Sequence, residues 1–577
     1  MQQNAADPRQ LHATTLAEQQ RGARWTRAAQ KQQSSCAILA DETAVTGGEI
    51  SHIEVVLLAL LCVVAALAVV AKRLQVAYPI VLVIGGLMLS FVPHIPRVTL
   101  DPNVVFLIIL PPLVFSAAFH TSWRDFRANL VSILLLAFGL VGFTVFGVAV
   151  STRWLVPGFD WHSGLVLGSV VAATDAIAAT ATAKRLGLPR GIVDLLEAES
   201  LVNDGSGLVA LRFTLAIVVT GATPSFVQGI GVLTYLVLAA IVIGLAIAVV
   251  VRFILSHIND APVEITISIV TPYLAYLAAE AAQCSGVLAT LACGLYLGRR
   301  SSDFYSLHAR IEASGVSRTI DFVLNGIVFL MLGLQLPLVL AGIHSKSAAA
   351  LAIDGAIFSA IVIALRMLWV FPGAWLSQQI RRLFHQGLEP LSPKLVFLVG
   401  WAGMRGVLAL AAAMSLPFAL RSGAAFPERN LIIFLSFCAI FATLVVQGLS
   451  LPALIRSMAL PAAAGHEEER LARREMIAAA LGSLERLRDE SGREQAEIHD
   501  QLERYYRRRL ALLERTYPEA PAAASRVDHG SLARQLRTVE RAIALKLRDE
   551  NKIHDEVLRT LEHELDLLDA RFAESER

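Results

Sequence analysis

From about residue 53 to residue 455 the chain is a succession of long apolar runs separated by short polar stretches. A helix that crosses a bilayer needs about 20 mostly apolar residues. Thirteen runs approach that length, near 53–71, 78–93, 104–119, 129–152, 162–183, 192–220, 226–257, 263–282, 285–298, 319–341, 348–377, 394–418 and 430–455. The third and ninth are short, and the sixth and eleventh carry charges. Beyond Pro461 the pattern turns periodic. Leu532, Leu536, Val539, Ile543 and Leu547 recur at three and four, as do Ile553, Val557, Leu561, Leu565, Leu568 and Phe572. These are stripes of amphipathic helices, with a weaker one at Ile477, Leu481 and Leu484. Tyr517-Pro-Glu-Ala-Pro521 reads as a break between helical halves. Residues 1–50 are polar and rich in Gln and Ala, without the apolar core of a signal peptide, and read as disordered. The pattern therefore divides the chain into a polar segment (1–50), a polytopic membrane domain (51–458) and a helical tail (459–577) that packs on itself as a hairpin or coiled coil, or acts as a regulatory element.

Charge sharpens this picture. Only 17% of residues are charged, against about 25% in soluble domains. Lys and Arg number 5 before residue 53, 23 across 53–455 and 22 beyond. Orientation follows the excess of basic residues on cytoplasmic loops. With the first helix running inward, 15 Lys and Arg fall on inner loops and 5 on outer ones, Arg97, Arg153, Lys346, Arg421 and Arg429. That topology puts the N-terminus outside and the tail in the cytoplasm, in a bacterial inner membrane. Thirteen spans divide as six, one and six, the arrangement of inverted repeats whose substrate site sits at the midplane on interrupted helices. The fifth run, with Gly168 and Asp175, then corresponds to the twelfth, with Gly400, Gly403, Arg405 and Gly406. The expected fold class is an all-α polytopic membrane protein of about 13 transmembrane helices in two inverted repeats, plus the helical tail. The five cysteines are scattered and show neither metal spacing nor a disulfide framework.

Among the acidic residues inside these runs, five stand out: Asp175, Glu197, Glu199, Asp204 and Glu280. A charged side chain near the bilayer centre costs about 2.5–3.5 kcal/mol on insertion scales, so each needs a partner or a task. The densest group is Leu195-Leu-Glu-Ala-Glu-Ser-Leu-Val-Asn-Asp-Gly205. On a helix, Glu197 and Asp204 lie near one face, as do Glu199 and Asn203. A carboxylate beside an amide oxygen is a hard-oxygen site for an alkali cation, and the same carboxylate accepts a proton, so sodium and protons would compete for Asp204. The other reading of Asp204 is a structural acid paired with Arg212 or a neighbouring helix. In the fifth run, Thr174 and Asp175 add oxygens among small residues that allow close helix packing. Arg366 and Arg405 lie deep in later runs, and each needs a buried anion or the carbonyls of an unwound helix. Glu199 is the expected partner of Arg366.

The combination Thr174-Asp175, Glu199-Ser-Leu-Val-Asn203-Asp204, Arg366 and Gly403-Met-Arg405-Gly406 resembles the monovalent cation:proton antiporter family, in the branch of NhaP-type bacterial antiporters and animal sodium/proton exchangers. Leu110-Pro-Pro-Leu-Val-Phe115 and Thr271-Pro-Tyr-Leu-Ala-Tyr276 resemble it too. The resemblance implies a mobile core domain, a dimerisation domain and hence a homodimer, with spans 5 and 12 unwound and crossed. It implies that Asp204 binds the cation or proton, that Asn203 stabilises the site, and that Asp175 and Thr174 complete a Na+ site. It implies a structural ion pair of Glu199 with Arg366, and an Arg405 that steadies the broken helix. Asn-Asp in place of Asp-Asp goes with electroneutral one-for-one exchange. One departure is Ala176, where many members have proline after the aspartate; proline removes a backbone donor and favours interruption, so this helix must open by other means.

No repeated pore loop, HExxH zinc motif, paired-aspartate protease signature or nucleotide-binding glycine loop is visible. The expectation is a secondary transporter, not an enzyme, without a cofactor, exchanging Na+ or Li+ for H+. K+/H+ exchange on the same fold is the alternative, and a channel or non-transporting sensor the more distant one. The expected partners are monovalent cations, protons, membrane lipid and a second copy of the chain, with no nucleic acid.

Overall fold

A computed structural model describes residues 55–93, 101–155, 159–221, 225–341, 343, 347–384, 392–420, 424–458, 465–490, 496–514, 530–550 and 552–575. The polar N-terminal segment and the Tyr517–Pro521 break lie outside the described residues. The chain forms two compact units, Met1–Ala65 and Ala66–Arg577. The described part of the first is apolar helix, the opening stretch of α1, Val55–Leu74.

In lipid every backbone polar group must be satisfied internally, and a chain of long apolar runs meets that demand as helices. Through the membrane domain these are α2 (Tyr78–Ser90), α3 (Pro102–His120), the short α4 (Trp123–Ala128), α5 (Leu130–Leu155), α6 (Trp161–Ala172), α7 (Ile177–Arg185), α8 (Arg190–Thr220), α9 (Phe226–Leu255), α10 (Ala261–Ala281), α11 (Gly286–Phe304), α12 (Leu307–Leu334), α13 (Leu336–Ala341), α14 (Ala348–Leu383), α15 (Pro393–Trp401), α16 (Val407–Met414) and α17 (Arg429–Ser457). Each of the thirteen expected spans is helical. Ten helices among the described residues are long and apolar enough to cross a membrane alone. The other three have local reasons to fall short: α2 is only 13 residues long, α11 ends in the charged Arg299, Arg300 and Asp303, and the twelfth run is split into α15 and α16. α12 begins a dozen residues before the expected start, because a polar stretch from Arg310 to Arg318 continues the helix beyond its apolar part.

Two groups of helices carry the architecture. In one, α5 packs on α6 and α14, α6 on α8, and α17 on α14 and α16; this group holds both interrupted helices. In the other, α2 packs on α12, while α11 packs on α3, α9 and α10. The tail is four helices, α18 (Gly465–Glu490), α19 (Ala496–Glu514), α20 (Gly530–Asp549) and α21 (Asp555–Ser575), and is therefore larger than the hairpin expected. Its apolar stripes meet: Met476, Leu547, Val557 and Leu561 are buried in one cluster, and Ile477, Leu484, Leu502 and Leu536 in another. In the basic run Arg507–Arg509, Arg507 and Arg508 face solvent. Arg509 turns inward to Glu540, 3.1 Å away, and Arg507 pairs with Glu503.

Candidate functional site

The fifth and twelfth spans both break partway along their length. Between α6 and α7 the chain leaves the helix at Ala173–Ala176, and between α15 and α16 at Ala402–Gly406. The two breaks touch, with Asp175 N–H donating to the Met404 carbonyl at 2.8 Å. Small residues make this approach possible. A Cβ on Gly406 would stand 2.4 Å from the Asp175 side chain, and one on Gly403 would stand 1.8 Å from the Arg366 guanidinium.

Helix α8 satisfies the polar groups that the fifth-span break exposes. Ser200 donates its hydroxyl to the Thr174 carbonyl (2.8 Å) and accepts from Ala176 N–H (3.1 Å), replacing the helical bonds that residue pair has lost. Asn203, wholly buried, donates to Thr174 Oγ1 at 2.8 Å and to the Ala172 carbonyl at 3.4 Å; its own Oδ1 has no hydrogen-bond partner among the described residues. The Thr174 hydroxyl passes on to Glu199 Oε1 at 3.1 Å. Asp175 caps α7, accepting from Ile177 N–H at 2.8 Å.

Asp175, Glu197, Glu199, Asp204 and Glu280 separate by partner. Glu199 receives a two-pronged bond from Arg366, 2.8 and 2.9 Å, in which both side chains are at most 2% exposed. Arg366 spends its remaining donors on the Gly400 and Val399 carbonyls, the last turn of α15. Glu197 pairs with Lys184 at 2.7 Å, and Glu280 with Arg212, which also donates to the Cys284 carbonyl. Arg212 is thus engaged on α10 and not with Asp204. Asp175 and Asp204 remain. Among the described residues Asp204 has neither a hydrogen bond nor a cationic partner, and its half-buried carboxylate opens into a cavity of about 920 Å³.

The second break is tied through its backbone. The Arg405 guanidinium, 1% exposed, finds no hydrogen bond among the described residues; it is the backbone N–H of Arg405 that is tied, to Thr443 Oγ1 at 3.0 Å.

The cavity lies between the two helix groups. Thr174, Asp175, Asp204 and Ser200 line its inner end, Pro112, Pro272 and Tyr273 its wall, and α21 its far end. The quoted proline motifs are therefore wall features. A π turn, Val105–Ile109, precedes the Pro111-Pro112 pair, which cannot donate backbone bonds. Asp321 of α12, which the sequence reading passed over, also lines the cavity and accepts a 2.6 Å bond from Ser116. The signal was present, an acid at the third position of the expected 319–341 run, but three residues from Arg318 it reads as the polar edge of that run.

A membrane domain with two broken helices touching at midspan, beside a half-buried carboxylate that opens to a large cavity, has the architecture of a secondary ion transporter. Comparison with known proteins gives the family. Residues 56–457 match the family described as sodium/hydrogen exchanger, transmembrane, and the chain belongs to it. An uncharacterised Na(+)/H(+) exchanger of Mycobacterium tuberculosis is 33% identical over 89% of this chain and 95% of its own length. The sodium, potassium, lithium and rubidium/H(+) antiporter of Bacillus subtilis is 32% identical over 69% of this chain and 61% of its own. Among solved structures, the sodium proton antiporter MjNhaP1 of Methanocaldococcus jannaschii superposes with a TM-score of 0.54 over 69% of this chain and 96% of that one, at 19% identity, a likeness of fold.

Proposed function

We propose that this protein exchanges one monovalent cation for one proton, with the two competing for Asp204. The observation that carries the reading is the isolation of Asp204. Its neighbours Glu197 and Glu199 are neutralised by Lys184 and Arg366, whereas Asp204 faces the cavity with no cationic partner among the described residues. A carboxylate in that position draws a cation or a proton from the cavity to offset its burial. Thr174 and Asp175 stand at the same end of the cavity and supply further hard oxygens for a sodium ion, with Asn203 orienting Thr174. Glu199 and Arg366 fix the geometry of α8 against α15, and Arg405 belongs to the second break. Because Asn203 cannot ionise, one proton leaves Asp204 for each cation that arrives, and the exchange is electroneutral. Access alternates as the group with the broken helices shifts against the other. The bias of basic residues places the tail in the cytoplasm of a bacterial inner membrane, and the protein works as a homodimer.

A second reading, K+/H+ exchange at the same site, is favoured by the breadth of cations in the name of the Bacillus subtilis relative. The test is purified protein in proteoliposomes with an internal pH dye, given outward or inward gradients of Na+, Li+ or K+. The expected result is cation-driven pH change with Na+ at least as effective as K+, and its loss in Asp204→Asn at unchanged protein yield and monodispersity. Exchange at the wild-type rate in Asp204→Asn would remove Asp204 from the mechanism; a response to K+ alone would select the second reading.

A further inference from the structure

The C-terminal helix reaches the ion cavity: Glu556, Arg559, Glu562, His563 and Asp566 of α21 line the same space as Asp204 and Asp175. We propose that the rim of this cavity is a docking surface whose occupant is the chain's own helix α21, a stopper that shuts the ion path and is released by deprotonation of His554 as the pH on the tail's side rises.

The seat is specific. Arg559 places its guanidinium on the Phe119 and His120 carbonyls, the negative end of the α3 dipole, where a cation is favoured. Arg310 of α12 reaches down to Asp566 at 3.2 Å and Glu562 at 3.9 Å. Ser122 of the α3–α4 turn donates to Asp555 at 2.8 Å, and Arg124 of α4 to the Ile553 carbonyl at 2.8 Å. These contacts are polar and charged, not an apolar seam. Such an interface stays soluble on both faces when it parts, as a reversible closure requires and a permanent domain contact does not.

His554 is the hinge of that seat. It stands between Asp125 of α4, 3.4 Å away, and Glu468 of α18, 3.3 Å away, so that when protonated it ties the membrane domain, the start of α21 and the rest of the tail together. The charges facing it are those two carboxylates, Arg124 on α4 and Asp194 on α8, with Asp555 and Glu556 following it in the chain. Asp125 and Glu468 against one arginine favour the imidazolium. The ion pair with Asp125 and the charge of Glu468 hold the His554 pKa above its ordinary 6.5, against the opposing effects of burial and Arg124. The sign follows from linkage. A group whose pKa is raised by docking strengthens docking fully below its undocked pKa and ceases to do so as pH climbs through the docked value. Neutral His554 leaves Asp125 and Glu468 without their shared cation, and the seat weakens. Under the exchange reading above, on which this one rests, the path then opens when the tail's compartment is alkaline, which is when proton uptake in exchange for a cation restores its pH.

The test uses the full-length protein in proteoliposomes. Ser122→Cys with Asp555→Cys is joined by a short, reducible bifunctional thiol reagent, with the wild-type protein and its own cysteines treated in parallel. The same reagent across Arg473→Cys and Glu564→Cys, which joins two tail helices without touching the membrane domain, is the control. Cation-driven exchange at pH 8.5 is expected to fall at least five-fold in the Ser122–Asp555 pair when cross-linked, to return with dithiothreitol, and to be unaffected in the control pair. His554→Gln is expected to move the pH of half-maximal exchange to the acid side by about one unit or more. Unchanged exchange in protein shown by mass to be fully cross-linked overturns the stopper. Equal inhibition in the control pair does the same, and an unmoved pH profile in His554→Gln overturns the release by histidine. No exchange in the reduced protein would be a failure of the antiporter assignment and is read separately from the effect of the cross-link.

Discussion

Asp204 and Glu199 sit five residues apart on α8 and meet opposite surroundings, and the difference explains why two acids in one helix have different tasks. Glu199 is closed in by Arg366 and the Thr174 hydroxyl; Asp204 faces the cavity. Removing Glu199 leaves a buried guanidinium with only the Gly400 and Val399 carbonyls. Breaking a buried pair from one side costs about 3–5 kcal/mol. Glu199→Ala is therefore expected to lower the unfolding temperature of the detergent-solubilised protein well below that of Asp204→Asn, and a wild-type melting temperature in Glu199→Ala would contradict a structural role. At this scale the sequence was readable wherever burial makes a residue expensive. An acid or an arginine in an apolar run announces itself, and Thr174, Asp175, Glu199, Asn203, Asp204 and Arg366 all converge in space. Ser200 was not readable in the same way, because serine is cheap in any helix and its value lies in which carbonyl it faces. Nor was the Arg405 side chain's lack of a hydrogen bond, which depends on how the second break turns its backbone.

The interrupted helices show how a fold feature survives the loss of the residue that commonly produces it. Without proline at 176 the chain still leaves the helix at Ala173, because Ser200 takes the Thr174 carbonyl and Ala176 N–H while Met404 takes Asp175 N–H. Two of these three bonds belong to one hydroxyl. Ser200→Ala leaves a buried donor and a buried acceptor unmatched, each costing about 1–3 kcal/mol, or lets the segment rewind into helix and draw Thr174 away from Asn203. Both routes predict slower exchange and a higher cation concentration for half-maximal rate, measurable by titrating the proteoliposome assay. A Ser200→Ala protein with wild-type kinetics would mean that the Met404 contact alone holds the break. The long apolar helices were legible from hydropathy because the bilayer imposes a length on each span. Their interruptions were legible only as glycines and polar residues at matching places, since an unwound turn has no periodicity of its own. The ends were least legible where a polar face continues a helix, as at the start of α12.

At the scale of the whole molecule the tail's helices could be read from their stripes, but their seat could not. The contacts that join α21 to the membrane domain, Ser122 with Asp555, Arg124 with Ile553 and Arg559 with His120, bridge more than 400 residues of chain and obey no spacing rule. They also predict how the molecule breathes with pH. His554 carries a pKa raised by docking, whereas the Asp125 carboxyl is lowered: burial pushes it up, but His554, 3.4 Å away, and the charge of Arg124 outweigh that. Asp125 therefore stays ionised across the neutral range and loses its contribution only in acid, below its ordinary 3.8, so of these two groups it is His554 that responds between neutral and alkaline pH. Hydrogen–deuterium exchange of the full-length protein, corrected for the intrinsic rise of exchange with pH, should show the amides of α21 and of the α3–α4 turn losing protection together between about pH 6.5 and pH 8.5. The apolar cluster of Met476, Leu547, Val557 and Leu561 holds α21 to the rest of the tail, so α18 and α20 should keep their protection over the same range. In His554→Gln the low-protection state should already be present at pH 6.5. Protection of α21 that is the same at both pH values in the wild-type protein would mean that the helix never leaves the cavity, and that the ion path runs past it.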